Sequence, residues 1–302
     1  MKNKVVIIGC GNVGMSYCYA LLNQRTYVNE IALIDLDINR VDGEVMDLNH
    51  CLAYAPSKIS INKGTYADCK DAKLVVIAAG ANQKPGETRT DLIHKNASIF
   101  KNIIENVMAS GFDGIILVAT NPLDVMTYLS YKYSGLPANK VIGTGTSLDT
   151  ARLQLMIGKK LCINPKNIQA YVIGEHGDTE FIPWSNANIS LQNIRKFFSK
   201  EELDSLEDDV RNAAYKIIEN KGATYYGIGM AMVRITNAIL GDENLIIPVS
   251  IYDDKNDVCV GLPAILNKDG AKRRIMLNLT EEECALLQKS IDVIKENIAS
   301  IK

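Results

Sequence analysis

Val5-Val6-Ile7-Ile8-Gly9-Cys10-Gly11-Asn12-Val13-Gly14 decides how this chain folds. A short apolar, β-rich run leads directly into a Gly-x-Gly-x-x-Gly turn, and a helical pattern follows over residues 12–23. With 21 glycines in the chain the spacing alone is a weak signal. Its place between a strand and a helix is what a dinucleotide fingerprint requires. Gly9 permits the tight turn, Gly11 lets backbone approach a pyrophosphate, and Gly14 lets helix and strand pack. The amides of Asn12 and Val13, at the helix N-terminus, then face phosphate, helped by the helix dipole. The next apolar run, residues 31–36, carries Asp35. A carboxylate there accepts hydrogen bonds from ribose hydroxyls and repels a 2′-phosphate, which selects NAD over NADP. Asp37 competes for the role but lies beyond the apolar run, so Asp35 is preferred.

Outward from this unit, residues 74–78 and 115–119 are further continuous apolar runs, as expected of parallel strands buried on both faces. Helical patterns at 41–52 and 88–110 alternate with them, the second stopping at Gly111. Alternation of this kind predicts a Rossmann-type doubly wound parallel sheet with right-handed crossovers. The second half reads as an α+β substrate domain. Leu203, Leu206, Val210, Ala213 and Ile217 share one helical face behind a Ser199/Glu202 capping box. Thr280 and Glu283 repeat the box before a terminal helix striped by Cys284, Leu287, Ile291, Ile294 and Ile298. Runs at 246–251, 258–262 and 275–279 predict antiparallel strands between these helices. The change of pattern divides the chain into 1–143, a cofactor domain, and 144–302, a catalytic domain.

Composition narrows the function. Formal net charge is −2, from 33 basic and 35 acidic residues, which leaves no electrostatic footprint for nucleic acid or an anionic membrane. Seven scattered cysteines without a CxxC pair argue for reduced thiols and against a zinc site; Cys10, Cys69 and Cys259 read as small core residues. The N-terminal apolar run is too short for a signal peptide, and no stretch approaches the ~20 apolar residues of a membrane helix. A cytoplasmic protein acting on small molecules is the expectation.

The chemistry centres on Gly174-Glu175-His176-Gly177-Asp178, which holds one of only three histidines. It follows a short apolar strand pattern, Tyr171-Val172-Ile173, so His176 is expected where a strand ends and a loop begins. An imidazole titrating near pH ~6.5 gives or takes protons at cellular pH. Asp149 and Arg152 share a helical face; they form either an ion pair of under ~1 kcal/mol or an imidazole orienter and a bidentate carboxylate grip. Spacing does not decide between these. Asn121, before Pro122 at a strand's end, is either a carboxamide facing the ligand crevice or an ordinary Asn-Pro turn.

Three motifs together, Ala79-Gly80-Ala81-Asn82-Gln83-Lys84-Pro85-Gly86-Glu87-Thr88-Arg89, Ser147-Leu148-Asp149-Thr150-Ala151-Arg152 and Gly174-Glu175-His176-Gly177-Asp178-Thr179-Glu180, resemble the lactate/malate dehydrogenase family, and within it the bacterial-type L-lactate dehydrogenases. Ala223-Thr224-Tyr225-Tyr226-Gly227 and Val258-Cys259-Val260-Gly261-Leu262-Pro263-Ala264 extend the likeness over essentially the whole chain. The resemblance implies an NAD enzyme interconverting pyruvate and L-lactate. It makes His176 the proton donor, Asp149 its orienter ahead of the nearer Asp178, and Arg152 the carboxylate fork. Arg89, on a closing loop, polarises the carbonyl; Asn121 binds substrate, with its bond to Pro122 cis as in relatives; Thr224 lines the methyl pocket. Further cofactor contacts implied are Arg40, Tyr66, Gly80, Ala81, Ala119 and Thr144. A homotetramer is implied by lineage alone.

Gln83 stands where malate-specific relatives carry an arginine. A neutral amide leaves a second substrate carboxylate unpaired in a dry pocket, which favours pyruvate. Gln154 and Gln169 stand where fructose-bisphosphate-activated relatives carry arginine and histidine. Neutral amides cannot make the charge-assisted phosphate bonds such a site needs, so no activation through that site is expected.

Overall fold

The computed structural model describes residues 3–81 and 89–301. Strands β1 (Lys4–Ile8), β2 (Glu30–Ile34), β3 (Ser60–Lys63), β4 (Leu74–Ile77), β5 (Ile115–Val118) and β6 (Val141–Gly143) are parallel, in the order β3-β2-β1-β4-β5-β6. Helices α1 (Asn12–Leu22), α2 (Ile38–Cys51), α3 (Arg89–Ala109) and α4 (Leu123–Ser134) connect them. The order reverses between β1 and β4, so their C-terminal ends frame the crevice where doubly wound sheets bind ligands.

The continuous apolar runs behave as physics requires. β1, β4 and β5 are buried along their whole length. Successive side chains alternate between faces: Val5 and Ile7 enter one core and Val6 and Ile8 the other. Each such buried aliphatic side chain contributes on the order of 1.5–3 kcal/mol.

The second half begins with α5 (Ser147–Leu161) and the small strands β7 (Ile168–Gln169), β8 (Asn188–Ile189) and β9 (Gln192–Asn193). It continues through α6 (Lys200–Lys221), α7 (Tyr226–Leu240), β10 (Leu245–Asp253), β11 (Val258–Asn267), β12 (Gly270–Arg274) and α8 (Glu281–Ala299). Both expected capping boxes form, at Ser199/Glu202 and Thr280/Glu283. The antiparallel strands do not make a separate sheet. β10 joins β6 at Ser250 and Gly143, extending one sheet to nine strands. Helix α7 lies on α1, where Tyr17 Oη and Thr236 Oγ1 are 2.7 Å apart. A Cβ at Gly229 would come within 2.9 Å of the Ser16 carbonyl carbon, so a glycine lets these helices meet.

Several expected details are corrected. The third antiparallel strand is residues 270–274, and residues 275–279 lie outside any strand. Gly270, at φ +95°, sets the hairpin, and the turn fixes which residues pair. Lys272, Arg273 and Arg274 then occupy an edge strand, where charge blunts further pairing. Residues 171–173 form no strand; Ile173 makes only a bridge to Phe181. On α6 the buried stripe ends at Val210, leaving Ile217 exposed at 36%. On α8 Cys284 is exposed while its neighbour Glu283 is buried and receives the Ser185 amide at 3.0 Å.

Candidate active site

The segment that carries His176 is placed largely by side chains, because it belongs to no strand. Thr146, capping α5, donates its hydroxyl to the Val172 carbonyl at 2.6 Å. Thr150, one turn on, accepts the Val172 amide at 2.9 Å. The chain then turns at Gly174, φ +97°, whose backbone bridges Gly261 of β11. A Cβ on Gly261 would lie 2.7 Å from the Gly174 carbonyl oxygen, so only glycine admits this approach. α5 and the His176 segment are thereby locked together.

Within that frame, His176 Nδ1 lies 2.8 Å from Asp149 Oδ2, and Arg152 Nη1 donates to Asp149 Oδ1 at 2.7 Å. The ion pair read for Asp149 and Arg152 forms, and the same Asp149 carboxyl also meets the imidazole. The pair is not a surface one, with side chains exposed by only 3% and 12%. Asp178 is excluded as orienter; it accepts the Tyr215 hydroxyl at 2.8 Å.

The electrostatics follow from this contact. Burial opposes charge on Asp149, but His176 and Arg152 outweigh it and hold the carboxyl below its ordinary range. Burial likewise pulls the imidazole down, yet the charge and hydrogen bond of Asp149 prevail and raise it to about 9. An ionised Asp149 only accepts, so Nδ1 donates to it and Nε2 carries the exchangeable proton.

Two further carboxyls lie near the imidazole: Asp124, for which the sequence offers no signal, and Glu180, which stands in the histidine motif without an assigned role. Asp124, opening α4, accepts the His176 amide at 2.8 Å. Glu180 brings a carboxyl oxygen within 4.8 Å of both Asp149 and His176 donor atoms. Burial and the Asp149 charge push Glu180 up to about 8. The trio has a metal-ligand composition, but the Arg152 guanidinium on Asp149 opposes a cation there.

The nucleotide crevice fits a dinucleotide. Gly9 takes φ +104° and a side chain on it would collide with Ala79 backbone, while one on Gly14 would collide with the Gly9 carbonyl. A side chain on Gly11 would meet nothing within 4 Å, so its backbone faces open space where a pyrophosphate can approach. Helix α1 has no side-chain cap, which leaves its first amides for a ligand. Asp35, at the end of β2, accepts the Cys10 amide at 2.7 Å and stands across the glycine turn. Asp37 instead caps α2 through the Arg40 amide at 3.1 Å. Arg40 and Asn12 share the lining of a cleft of about 480 Å³.

Several expected residues follow the C-terminal ends of the parallel strands. Asn96, unsuspected from sequence, ties two of them together: its Oδ1 accepts the Ala81 amide at 2.8 Å and its Nδ2 donates to the Asn121 carbonyl at 2.9 Å. The Asn121-Pro122 bond is cis. Gly80 packs against Thr120, which excludes a larger residue. Ala119 and Thr144 extend β5 and β6 through amides bonded to Ile77 and Val118. Tyr66 opens a half-buried turn after β3, and Thr224 is half-buried between α6 and α7. Gln83 lies outside the described residues; Arg89 begins α3, and its side chain lies outside them too.

Among the described residues no helix is long and apolar enough to cross a membrane. The family model for lactate/malate dehydrogenase, NAD binding domain, matches residues 3–143, and that for the alpha/beta C-terminal domain matches residues 146–302. The chain is 48% identical over 309 residues to L-lactate dehydrogenase 2 of Bacillus cereus, covering 99% of this chain and 98% of that one. Among solved structures, a lactate dehydrogenase enzyme from a Medee basin deep-sea metagenome library superposes with a TM-score of 0.97 at 50% identity, over 100% and 99% of the two chains. Minor L-lactate dehydrogenase from Enterococcus mundtii gives 0.96 at 43% identity in its ligands-bound form, again over 100% and 99%. The likeness spans the glycine turn and the imidazole cluster alike: the chain belongs to the lactate/malate dehydrogenase family and is an NAD-dependent 2-hydroxy acid oxidoreductase.

Proposed function

We propose that this protein interconverts pyruvate and L-lactate with NAD, His176 acting as the acid. The observation that carries the reading is the 2.8 Å contact of His176 with a buried Asp149 that also holds Arg152. NADH, when bound, supplies hydride. Gly9, Gly11, Asn12, Val13 and Gly14 would hold its pyrophosphate and Asp35 its ribose, with Arg40, Tyr66, Gly80, Ala81, Ala119 and Thr144 as further contacts. His176 gives its Nε2 proton to the substrate oxygen during reduction and takes one back during oxidation. Asp149 stays ionised throughout, stabilising the imidazolium and fixing its tautomer. Arg152 grips the substrate carboxylate, and Arg89 polarises the carbonyl from a loop whose closure excludes water. Asn121 orients the substrate, and Thr224 lines the methyl pocket.

Gln83 supports pyruvate over oxaloacetate, since a neutral amide cannot pair a second carboxylate. Gln154 supports the absence of fructose bisphosphate activation, because its amide donates to the Ile168 and Ala170 carbonyls at 3.2 and 3.3 Å. A division at 143/144 into cofactor and catalytic domains, a homotetramer and a cytoplasmic location complete the reading, the assembly resting on resemblance alone. NADH oxidation measured with pyruvate and with oxaloacetate, each with and without the sugar bisphosphate, tests it. Pyruvate is strongly preferred and the sugar is without effect. Equal kcat/KM for the two oxo acids contradicts the role of Gln83, and a large fall in pyruvate KM with the sugar contradicts that of Gln154.

A further inference from the structure

Asp124 does more than begin a helix. Its side chain is fully enclosed, the residue being 2% exposed, and each oxygen has one donor. Oδ2 accepts the backbone amide of His176 at 2.8 Å, and Oδ1 accepts the Ser250 hydroxyl at 2.6 Å. These partners come from separate parts of the chain. Asp124 lies two residues beyond the cis bond that joins Asn121 to Pro122, on the cofactor side. His176 rides on the segment that α5 holds, and Ser250 marks the register point where β10 meets β6. One carboxylate therefore ties the Asn121 turn, the donor loop and the seam of the sheet.

We infer that Asp124 is a positioning residue, which sets His176 against the Asn121 turn through one carboxylate hydrogen-bonded to both the donor loop and the sheet seam. The inference rests on His176 being the proton donor. Asp124 acts through the His176 backbone and touches no reacting atom. Its negative charge adds a second effect, favouring the protonated imidazole it faces. The other groups facing that imidazole are Asp149 from α5 and Glu180 from its own segment; Arg152 acts on both of these carboxyls, Arg211 of α6 is set against Glu180, and Glu175 against Asp124. Burial pushes Asp124 up to about 6 against the Ser250 hydrogen bond, so at neutral pH it still bears the charge. A purely structural anchor has no need of that charge. Asparagine could accept the His176 amide through Oδ1 and donate to Ser250 through Nδ2 with the same shape.

Three variants of the full chain separate these effects: Asp124→Ala, Asp124→Asn and Ser250→Ala. The readouts are kcat and KM for pyruvate from pH 5 to 10 and NADH affinity by fluorescence. Asp124→Ala lowers kcat by about tenfold to a hundredfold, as loss of donor placement does, with NADH affinity nearly unchanged. Ser250→Ala lowers it less. Asp124→Asn recovers most of the Asp124→Ala loss, yet its alkaline limb moves to lower pH by roughly half a unit or more, because a negative neighbour has gone. Wild-type kcat with an unmoved limb in Asp124→Ala overturns the inference. If that variant does not fold, an unmoved limb in Asp124→Asn overturns it equally. Failure of the underlying reading looks different: His176→Asn then keeps its activity, whatever the Asp124 variants do.

Discussion

At the N-terminal ends of the parallel strands, Lys4 Nζ lies 2.9 Å from Asp71, 3.3 Å from Glu30 and 3.5 Å from Asp68. It borders a cleft of about 960 Å³ that none of the site residues lines. At the C-terminal ends, Asp124, Asp149 and Glu180 face one imidazole. Lysine ringed by carboxylates holds its proton throughout the physiological range, as its raised pKa indicates. Histidine in a comparable ring is brought to about 9, within reach of a proton exchange. Enclosing charge is common to both ends. What differs is whether the enclosed group can change its charge state, and in the proposed mechanism that separates a fastening from a catalyst.

Substitutions should divide accordingly, with activity lost at one end and stability at the other. Asp149→Asn leaves the imidazole without its hydrogen-bonded anionic partner and lowers kcat by about 10³–10⁴-fold, seen in steady-state pyruvate reduction with the circular-dichroism spectrum retained. Arg152→Lys replaces a planar fork with a point charge and raises pyruvate KM by roughly a hundredfold. If KM is unchanged, Arg152 serves only Asp149. In the proposed mechanism reduction requires the imidazolium and oxidation the neutral ring. Pyruvate reduction therefore falls as pH rises through about 9, while lactate oxidation climbs over the same interval; parallel profiles would remove His176 from the reaction. Asp35→Ala narrows the preference for NADH over NADPH by about tenfold, one charge-assisted hydrogen bond and one repulsion being lost. Lys4→Met changes kcat least and lowers unfolding free energy by about 1–3 kcal/mol, measured by urea denaturation. A large kcat effect at Lys4 erases the contrast between the two ends.

The cofactor half was legible because its signals are local: four buried runs and a glycine turn that tolerates no side chain at Gly9 or Gly14. The third antiparallel strand was misplaced because a turn at Gly270, not hydrophobicity, selects which residues pair. Residues 171–173 looked like a strand because apolar character marks burial, whereas the segment is fixed by Thr146 and Thr150 hydroxyls. His176, Asp149 and Arg152 carried weight only through motif resemblance, since spacing left their roles open. Asp124 and Asn96 give no sequence signal for a common reason: their partners lie far away in sequence, and a buried polar side chain announces itself only when its partner is seen. Glu180 stands in the histidine motif, but only the fold brings it within reach of both Asp149 and His176.

The claim on which the mechanism depends is that Asp149 keeps the His176 imidazole protonated until substrate takes the proton. Only three histidines are present, so an NMR titration of their ring protons, assigned with His50 and His94 variants, resolves His176 directly. The account predicts a His176 midpoint near pH 9 that falls toward ordinary histidine values in Asp149→Asn. A midpoint at or below about 6.5, the value of an unperturbed imidazole, and indifferent to that substitution, contradicts it.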